Sequence, residues 1–198
     1  MNKVKLGARP YLYPMPIVLV GANVNGKPNF LTAAFVGIAN YKPAMIAVGL
    51  GKHHYTNSGI KKNKTFSVNI PSQAMVKAVD FCGIYSGHKV DKSELFQTFS
   101  GKLKTAPMIA ECPISMECKL IRSIPLGIDE LFLAKIVEVY ADKKCLTPPG
   151  RGEPDLRKIQ PLLFTMPDNK YWKIGKFCGP AWKIGKGFKP GKQSKMKI

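Results

Sequence analysis

The stretch Gly51-Lys52-His53-His54-Tyr55-Thr56-Asn57-Ser58 places a lysine, two histidines and several hydroxyl groups side by side. It follows an apolar, strand-like segment and begins a pattern typical of a helix start, where free backbone amides and the helix dipole favour an anion. The lysine and the hydroxyls would add charge and hydrogen bonds at the same point. The stretch therefore predicts a phosphate site. A polar loop in which Thr56 merely caps the helix remains an alternative.

The adjacent histidines also raise the question of a metal site. Neighbours on a strand point to opposite sides, and no third ligand follows His53 and His54 at a recognised spacing, so we expect no bound metal. Cys112 and Cys118 lie in a strand pattern and are interpreted as small, semi-buried residues. The chain lacks GxSxG, Walker A and strand-linked GxGxxG motifs, which argues against a serine hydrolase, a P-loop protein and a Rossmann dehydrogenase.

A third polar cluster runs from Phe81 to Lys92 and contains two glycines, a serine and two lysines. Glycine lets the backbone approach a ligand closely because it has no side chain. The cluster could therefore wrap a polar ligand, although an ordinary surface loop would have the same composition.

The elements that must position these residues are mostly strands. Asn25-Gly26 predicts a tight hairpin turn, and two helices are expected over residues 56–62 and 73–81, the first capped by Thr56 or Asn57. The pattern predicts a mainly β protein, a barrel of short strands with small flanking helices. Apolar and β-branched runs indicate strands at Ile17–Val20, Phe30–Ala33, Met45–Leu50, Thr65–Ile70, Ile114–Leu120 and Leu131–Val139.

Length and charge set the limits on partners. The 198 residues, 45% of them hydrophobic, are enough for one core, and a net charge of +19 attracts anionic partners of any kind. We expect a single domain over residues 1–188, with the two WKIGK repeats packed on the body up to Phe188. Residues 189–198 are expected to form a basic, flexible tail.

Cysteine usage and hydropathy indicate the compartment. The five cysteines show no paired CxxC spacing, so we interpret them as reduced thiols. The apolar run from Ile17 to Ala22 is too short to span a membrane. A soluble, cytoplasmic protein is the expectation.

Four blocks, in this order and spacing, carry a family resemblance: NFLTAAFVGIANYKPAMIAVGL, KHHYTNSGIKKNKTFSVNIPS, VDFCGIYSGHKVDKSELF and APMIAECPISMECKL. Together they resemble the flavin reductase-like, FMN-binding split-barrel family, and most closely its flavoredoxin branch, over roughly residues 10 to 187. The resemblance implies a Greek-key split barrel that forms a homodimer. It also implies one FMN per protomer, held near the interface and contacted by both chains.

The resemblance assigns a role in binding the flavin ring and ribityl chain to a run that begins at Asn29. Thr32, Ala33 and Ala34 would lie along the isoalloxazine ring or the ribityl chain. Phe35 stands where the family often has tryptophan, so a smaller side chain without a donor would contact the ring.

Other residues acquire roles at the two ends of the cofactor. Ser86, Gly87 and Lys92 match a family loop that reaches toward the flavin, and Phe164 matches an aromatic residue near the ring. The phosphate site implied by the resemblance agrees with the anion site argued from the helix start, and it comprises Lys52, His53, Tyr55 and Thr56.

The chain departs from the family at one place. Relatives often have Gly-x-His where this chain has Gly127-Ile128-Asp129, so Asp129 replaces an imidazole near the flavin and could alter its potential or affinity. Positive charge from Lys52 or Lys92 would favour an anionic reduced flavin. Since FMN carries the chemistry, no side chain is predicted to be catalytic.

Two functions remain to be separated. The resemblance implies transfer of electrons or hydride through FMN, between NAD(P)H or a redox protein and an acceptor, either as an oxidoreductase or as an electron carrier. The alternative is a barrel that binds nucleic acid or an anionic surface through its lysine-rich end with Tyr171, Trp172 and Trp182. That alternative leaves the four blocks unexplained, so we expect neither nucleic acid nor membrane as a partner.

Overall fold

In the described part of the chain, strands of 2 to 13 residues alternate with three small helices. The computed structural model describes residues 2–149 and 152–188, and the predicted basic tail of residues 189–198 lies outside this range. Two 3-10 turns occur at Gln73–Met75 and Lys143–Cys145. In chain order the other elements are β1 (Met15–Pro16), β2 (Val18–Val24), β3 (Lys27–Ala33), β4 (Val36–Asn40), β5 (Met45–Gly51), α1 (Tyr55–Asn63), β6 (Thr65–Ile70), α2 (Val76–Ile84), β7 (Thr98–Phe99), β8 (Met108–Ile109), β9 (Ile114–Leu126), β10 (Asp129–Ala141), β11 (Leu146–Thr147), β12 (Glu153–Pro154), α3 (Leu156–Ile159), β13 (Leu163–Thr165) and β14 (Lys170–Trp172).

Seven of these strands form one antiparallel sheet, in the order β3-β2-β6-β9-β10-β5-β4. The six predicted strands all belong to it, and the mainly β barrel fold is confirmed. Strand β4 was not predicted. Its residues are mostly exposed and its pairing with β5 shifts register between Ile38 and Asn40, so no buried face imposes a two-residue period on its sequence.

The hairpin between β2 and β3 is the predicted two-residue turn. Val24 pairs with Lys27, and the intervening Asn25 and Gly26 have φ values of 51° and 85°. Positive φ at both central positions is the geometry that asparagine and glycine adopt most readily. This turn fixes the register that brings β3 to the site described below.

Both faces of β2 are buried, which explains its continuous apolar sequence. Val18, Val20 and Ala22 face the interior of the barrel. Leu19 and the preceding Ile17 face a second core, which includes Val79 and Cys82 of α2. A strand covered on both sides shows no alternation of polar and apolar residues.

The two predicted helices are present, but the predicted cap is wrong. Helix α1 begins at Tyr55, and its N-cap is His54, which makes no side-chain hydrogen bond to the first turn. Thr56 and Asn57 are already inside the helix and are buried. The second segment starts as a 3-10 turn and becomes α-helical only at Val76.

The C-terminal segment leaves the body earlier than predicted. Tyr171 packs against the second core, but Phe177, Trp182 and Phe188 are exposed. The prediction of packing up to Phe188 is therefore wrong beyond β14. Four glycines and Pro180 interrupt residues 173–188, so no helix or strand aligns their apolar side chains on one face. No helix among residues 2–149 and 152–188 is long and apolar enough to cross a membrane.

Candidate functional site

A cavity of about 220 Å³ opens at the N-terminus of α1, and we call it the helix cavity. Strand β5 ends at Gly51 and a short turn leads into the helix, so the first helical turn faces this space. The opposite wall comes from β3 and from the segment that follows α2. Predicted site residues that line the helix cavity are Asn29, His53, Tyr55, Thr56, Ser86, Gly87 and Lys92.

The first turn of α1 is suited to an anion. It has no side-chain cap and no acidic residue, and while the amide of Asn57 donates to His54 O, the amides of Tyr55 and Thr56 remain available to a ligand. Thr56 Oγ1 accepts a hydrogen bond of 2.8 Å from Asn29 Nδ2. Because that oxygen is engaged as an acceptor, the hydroxyl proton of Thr56 is left to donate into the cavity.

Lys92 supplies a buried positive charge at the cavity wall. Its side chain is only 2% exposed, and Nζ donates to the carbonyl oxygens of Phe30 at 2.9 Å and Cys82 at 3.0 Å. Burial lowers the pKa of Lys92, because the two carbonyls solvate the ammonium less well than water does. An ammonium has three donors, so one N–H of Lys92 is left over.

The loop that carries Ser86 approaches β3 and α1 very closely. A Cβ on Gly87 would clash with Asn29 Oδ1 and would lie 2.5 Å from Tyr55 Cδ1. Ser86 Oγ accepts from the amide of His88, which tightens the same turn. Only glycine therefore fits at position 87 without a steric clash. The loop also walls a further cavity of about 350 Å³, which shares Asn29, Tyr55, Gly87 and Lys92 with the helix cavity.

A more apolar cavity of about 310 Å³, the strand cavity, lies on the other side of the two histidines. Thr32 contributes less polarity than its type suggests, because its hydroxyl donates to Val79 O at 2.5 Å. Phe35 is 44% exposed and its backbone bonds to Gly49. Predicted site residues that line the strand cavity are Thr32, Ala33, Ala34, Phe35, His53 and Phe164.

His53 and His54 join the two cavities, since both side chains line both of them. They occupy a turn rather than a strand, so the prediction that they point apart is wrong. Their ring centroids are 5.1 Å apart. His53 is exposed and His54 is half-buried. Among the described residues, no three His, Cys, Asp or Glu side chains are grouped so as to hold a metal.

Burial sets the protonation of His54. Desolvation lowers its pKa first, the charges of His53 and Lys92 lower it further, and the carboxylate of Asp129 raises it. The folded protein therefore holds His54 neutral at pH values where the unfolded chain would bind a proton. The free energy of unfolding accordingly falls as the pH drops below the ordinary value of 6.5.

The structure brings together all but one of the predicted site residues. Lys52 is exposed, and its amide bonds to Ile128 O, but it lines neither the helix cavity nor the strand cavity. The predicted set omitted His54, which lines both cavities, Tyr85, which follows α2, and Met166, which follows β13. His54 and Tyr85 lie within polar segments singled out in the sequence, whereas Met166 belongs to no motif and reaches the site only through the fold around β13.

The fold is a split barrel, and its site consists of two cavities that share His53 and His54, one at the N-terminus of α1 and one lined largely by small and aromatic residues. The family model of the flavin reductase like domain matches residues 10–165, and the chain belongs to this family. Its resemblance to the flavoredoxin branch is also shown.

Solved structures support the same assignment. The chain is 45% identical to the flavoredoxin of Methanosarcina acetivorans, with a TM-score of 0.90 over 94% of this chain and 98% of that one. It is 37% identical to the flavoredoxin of Desulfovibrio vulgaris (Miyazaki F), with a TM-score of 0.85 over 93% and 100%. An FMN-binding protein from Thermus thermophilus, 22% identical with a TM-score of 0.75 over 91% and 98%, shares the fold.

The coupling between Asp129 and His54 gives a first prediction. Replacing Asp129 with Asn removes the negative charge that favours the imidazolium, so the pKa of His54 should fall further below its ordinary value. NMR titration of the imidazole resonances measures this, with His88 as an internal reference. An Asp142→Asn variant, remote from both cavities, should leave the titration of His54 in place. An unchanged or higher pKa in Asp129→Asn would contradict the electrostatic interpretation.

Proposed function

We propose that the chain is an FMN-binding flavoprotein that transfers electrons or hydride between NAD(P)H or a redox protein and an acceptor. The observation that carries this proposal is the pair of cavities that share His53 and His54, in which an uncapped helix N-terminus faces one cavity and small or aromatic side chains line much of the other. A flat ring with a phosphate tail has the same distribution of polarity. Membership of the flavin reductase-like family supports a flavin-dependent redox function.

At the phosphate end, the donor set fits a phosphate dianion. The first-turn amides of α1, the hydroxyl of Thr56 and the ammonium of Lys92 would all present N–H or O–H groups to it. His53 and His54 border the same space, and Gly87 allows the loop to approach closely. Lys52 is exposed, so its charge would attract the phosphate only across solvent.

At the ring end, the walls are small or aromatic. Ala33 and Ala34 leave room for a flat ring, and Phe35 and Phe164 offer aromatic contacts at its edges. Bound FMN would supply the ring that accepts and returns electrons or hydride. The chain's own tasks are to orient that ring, to exclude water on the barrel side and to provide the fixed positive charge of Lys92.

We also propose that the protein acts as a homodimer. The described chain exposes large apolar side chains on edge strand β4 and the loop after it, such as Ile38 and Tyr41. It also exposes Ile121 and Ile128 on the β9–β10 hairpin and Trp182 in the C-terminal segment. Exposed apolar side chains on an unpaired strand edge favour contact with another chain. The five free cysteines suit a reducing compartment, which supports a cytoplasmic location.

The decisive test of the cofactor is its presence and identity. The purified full-length protein should be yellow, and denaturation should release FMN that mass spectrometry distinguishes from FAD and riboflavin. The distinction matters because a further cavity continues beyond the phosphate end. Colourless protein that cannot be reconstituted with FMN would refute the proposal. Anaerobic mixing of the holoprotein with NADH or NADPH then assigns the electron donor. If neither nucleotide bleaches the flavin absorbance, a redox protein is the remaining donor.

The phosphate site gives a sharper prediction. Thr56→Val keeps the shape of the side chain but removes its hydroxyl, which is both the proposed donor to the phosphate and the acceptor for Asn29 Nδ2. FMN affinity should fall by at least about tenfold, the size of one charge-assisted hydrogen bond. The affinity for riboflavin, which lacks the phosphate, should fall much less. Ser58→Ala is the matched control, because Ser58 is exposed and its hydroxyl donates only to Tyr55 O at 2.8 Å. Equal losses for FMN and riboflavin would indicate a structural defect and contradict the phosphate assignment.

The dimer is tested by sedimentation of the full chain over a range of concentrations. The wild-type protein should sediment as a dimer, and Ile38→Lys should shift it toward monomer because it places a charge on an apolar edge. Since Ile38 is mostly exposed, the midpoint of urea unfolding of the monomeric Ile38→Lys variant should differ little from that of the wild-type monomer. A wild-type protein that stays monomeric throughout would rule out the dimer.

A further inference from the structure

A separate cavity of about 570 Å³ lies beneath the N-terminal segment, and we call it the arm cavity. Its walls are formed by residues of the segment from Arg9 to Pro16 and by Ala34, Phe35 and Val36. The volume is within the range of about 300–1,000 Å³ that accommodates small organic ligands. The cavity is distinct from the phosphate end of the site, since it shares no residue with the helix cavity.

The arm cavity adjoins the strand cavity through two shared residues. Ala34 and Phe35 line both. Phe35 is held in this position by its own backbone, because its carbonyl accepts from the amide of Gly49 at 2.8 Å and its Cβ would lie 3.2 Å from a Cβ at Gly49. A molecule in the arm cavity would therefore lie next to the place proposed for the flavin ring.

The lining of the arm cavity is apolar with one cationic group. Leu12, Met15 and Val36 contribute aliphatic or thioether surface, and the prolines add rigid apolar surface. Arg9 Nη1 donates to the hydroxyl of Tyr11 at 3.2 Å. Within the described part of the chain, Arg9 makes no ion pair with a carboxylate, and a guanidinium has five donors, so several remain for an anion.

These features select one kind of ligand. An apolar wall beside an aromatic side chain suits a planar ring, and a guanidinium with spare donors recognises a carboxylate. We propose that the arm cavity binds a small aromatic carboxylate, with its carboxylate at Arg9 and its ring against Leu12 and Phe35. The placement of this ligand beside the redox centre rests on the proposed flavin function, whereas the binding itself does not.

The test measures binding of 2-naphthoate and of its neutral analogue 2-naphthamide by calorimetry, with full-length protein. Arg9→Gln should weaken naphthoate by roughly fivefold, the upper size for an exposed ion pair, and should leave naphthamide nearly unchanged. Leu12→Ala should weaken both, because it removes apolar contact. Arg122→Gln, an exposed arginine on β9, is the charge-matched control and should change neither. Both Arg9 and Leu12 are exposed, so the variants should fold.

The outcomes separate this proposal from that of the flavin. Measurements on protein stripped of cofactor and on protein loaded with FMN are made in parallel. Naphthoate binding without any FMN binding would refute only the flavin proposal. FMN binding without naphthoate binding, or naphthoate binding that ignores both Arg9→Gln and Leu12→Ala, would refute the arm cavity. Naphthoate affinity that falls as protein concentration rises would show that a second copy fills the cavity and would refute it as well.

Discussion

Three hydrogen bonds along β3 hold the walls of the site together. Asn29 Nδ2 donates to Thr56 Oγ1 in α1, Lys92 Nζ donates to Phe30 O, and Thr32 Oγ1 donates to Val79 O in α2. Three elements that are separate in the sequence are thus attached to three residues of one strand, Asn29, Phe30 and Thr32. The helix cavity opens on the Asn29 side and the strand cavity on the Thr32 side. The register of β3, fixed by the Asn25-Gly26 turn, therefore decides the geometry of both.

The burial of Lys92 is the energetic cost within this arrangement. Moving an ammonium out of water is unfavourable, and two carbonyl dipoles offset only part of that loss. An anion in the helix cavity would add the missing compensation and raise the pKa of Lys92 toward its ordinary value. By reciprocity, a protonated Lys92 strengthens the binding of that anion. The loop that ends at Lys92 is thereby coupled to occupation of the cavity, because the same side chain ties the loop to β3.

The sequence predicted the strands and the hairpin because burial and turn geometry leave local patterns. The helix start that carries the proposed anion site was also predictable, since a helix start with hydroxyls is a local feature. The N-cap was not predictable from sequence, because the hydroxyl oxygen of Thr56 accepts a hydrogen bond from Asn29, 27 residues away, instead of bonding to the first turn of its own helix. Lys92 was predicted as a ligand-facing loop residue, and its burial against two carbonyls depends on the packing of α2 on β3. The prediction that the C-terminal segment packs on the body failed for a related reason. Its aromatic residues indicate burial, but no regular element directs them toward this chain's core.

The charges around the strand cavity bear on Asp129, which the family resemblance places where relatives often have a histidine. Asp129 lies on that cavity together with His53 and His54, and its carboxylate raises the pKa of His54 against the lowering by burial. An imidazole is therefore present beside the cavity, but it comes from the turn before α1 instead of from the start of β10. Lys92 is fixed by two backbone carbonyls, so its charge cannot be repositioned when a ligand changes charge. His54 has no such restraint from a side-chain cap bond, and its protonation responds to both neighbours. If the proposed flavin occupied the strand cavity, a gain of negative charge on its ring would raise the pKa of His54.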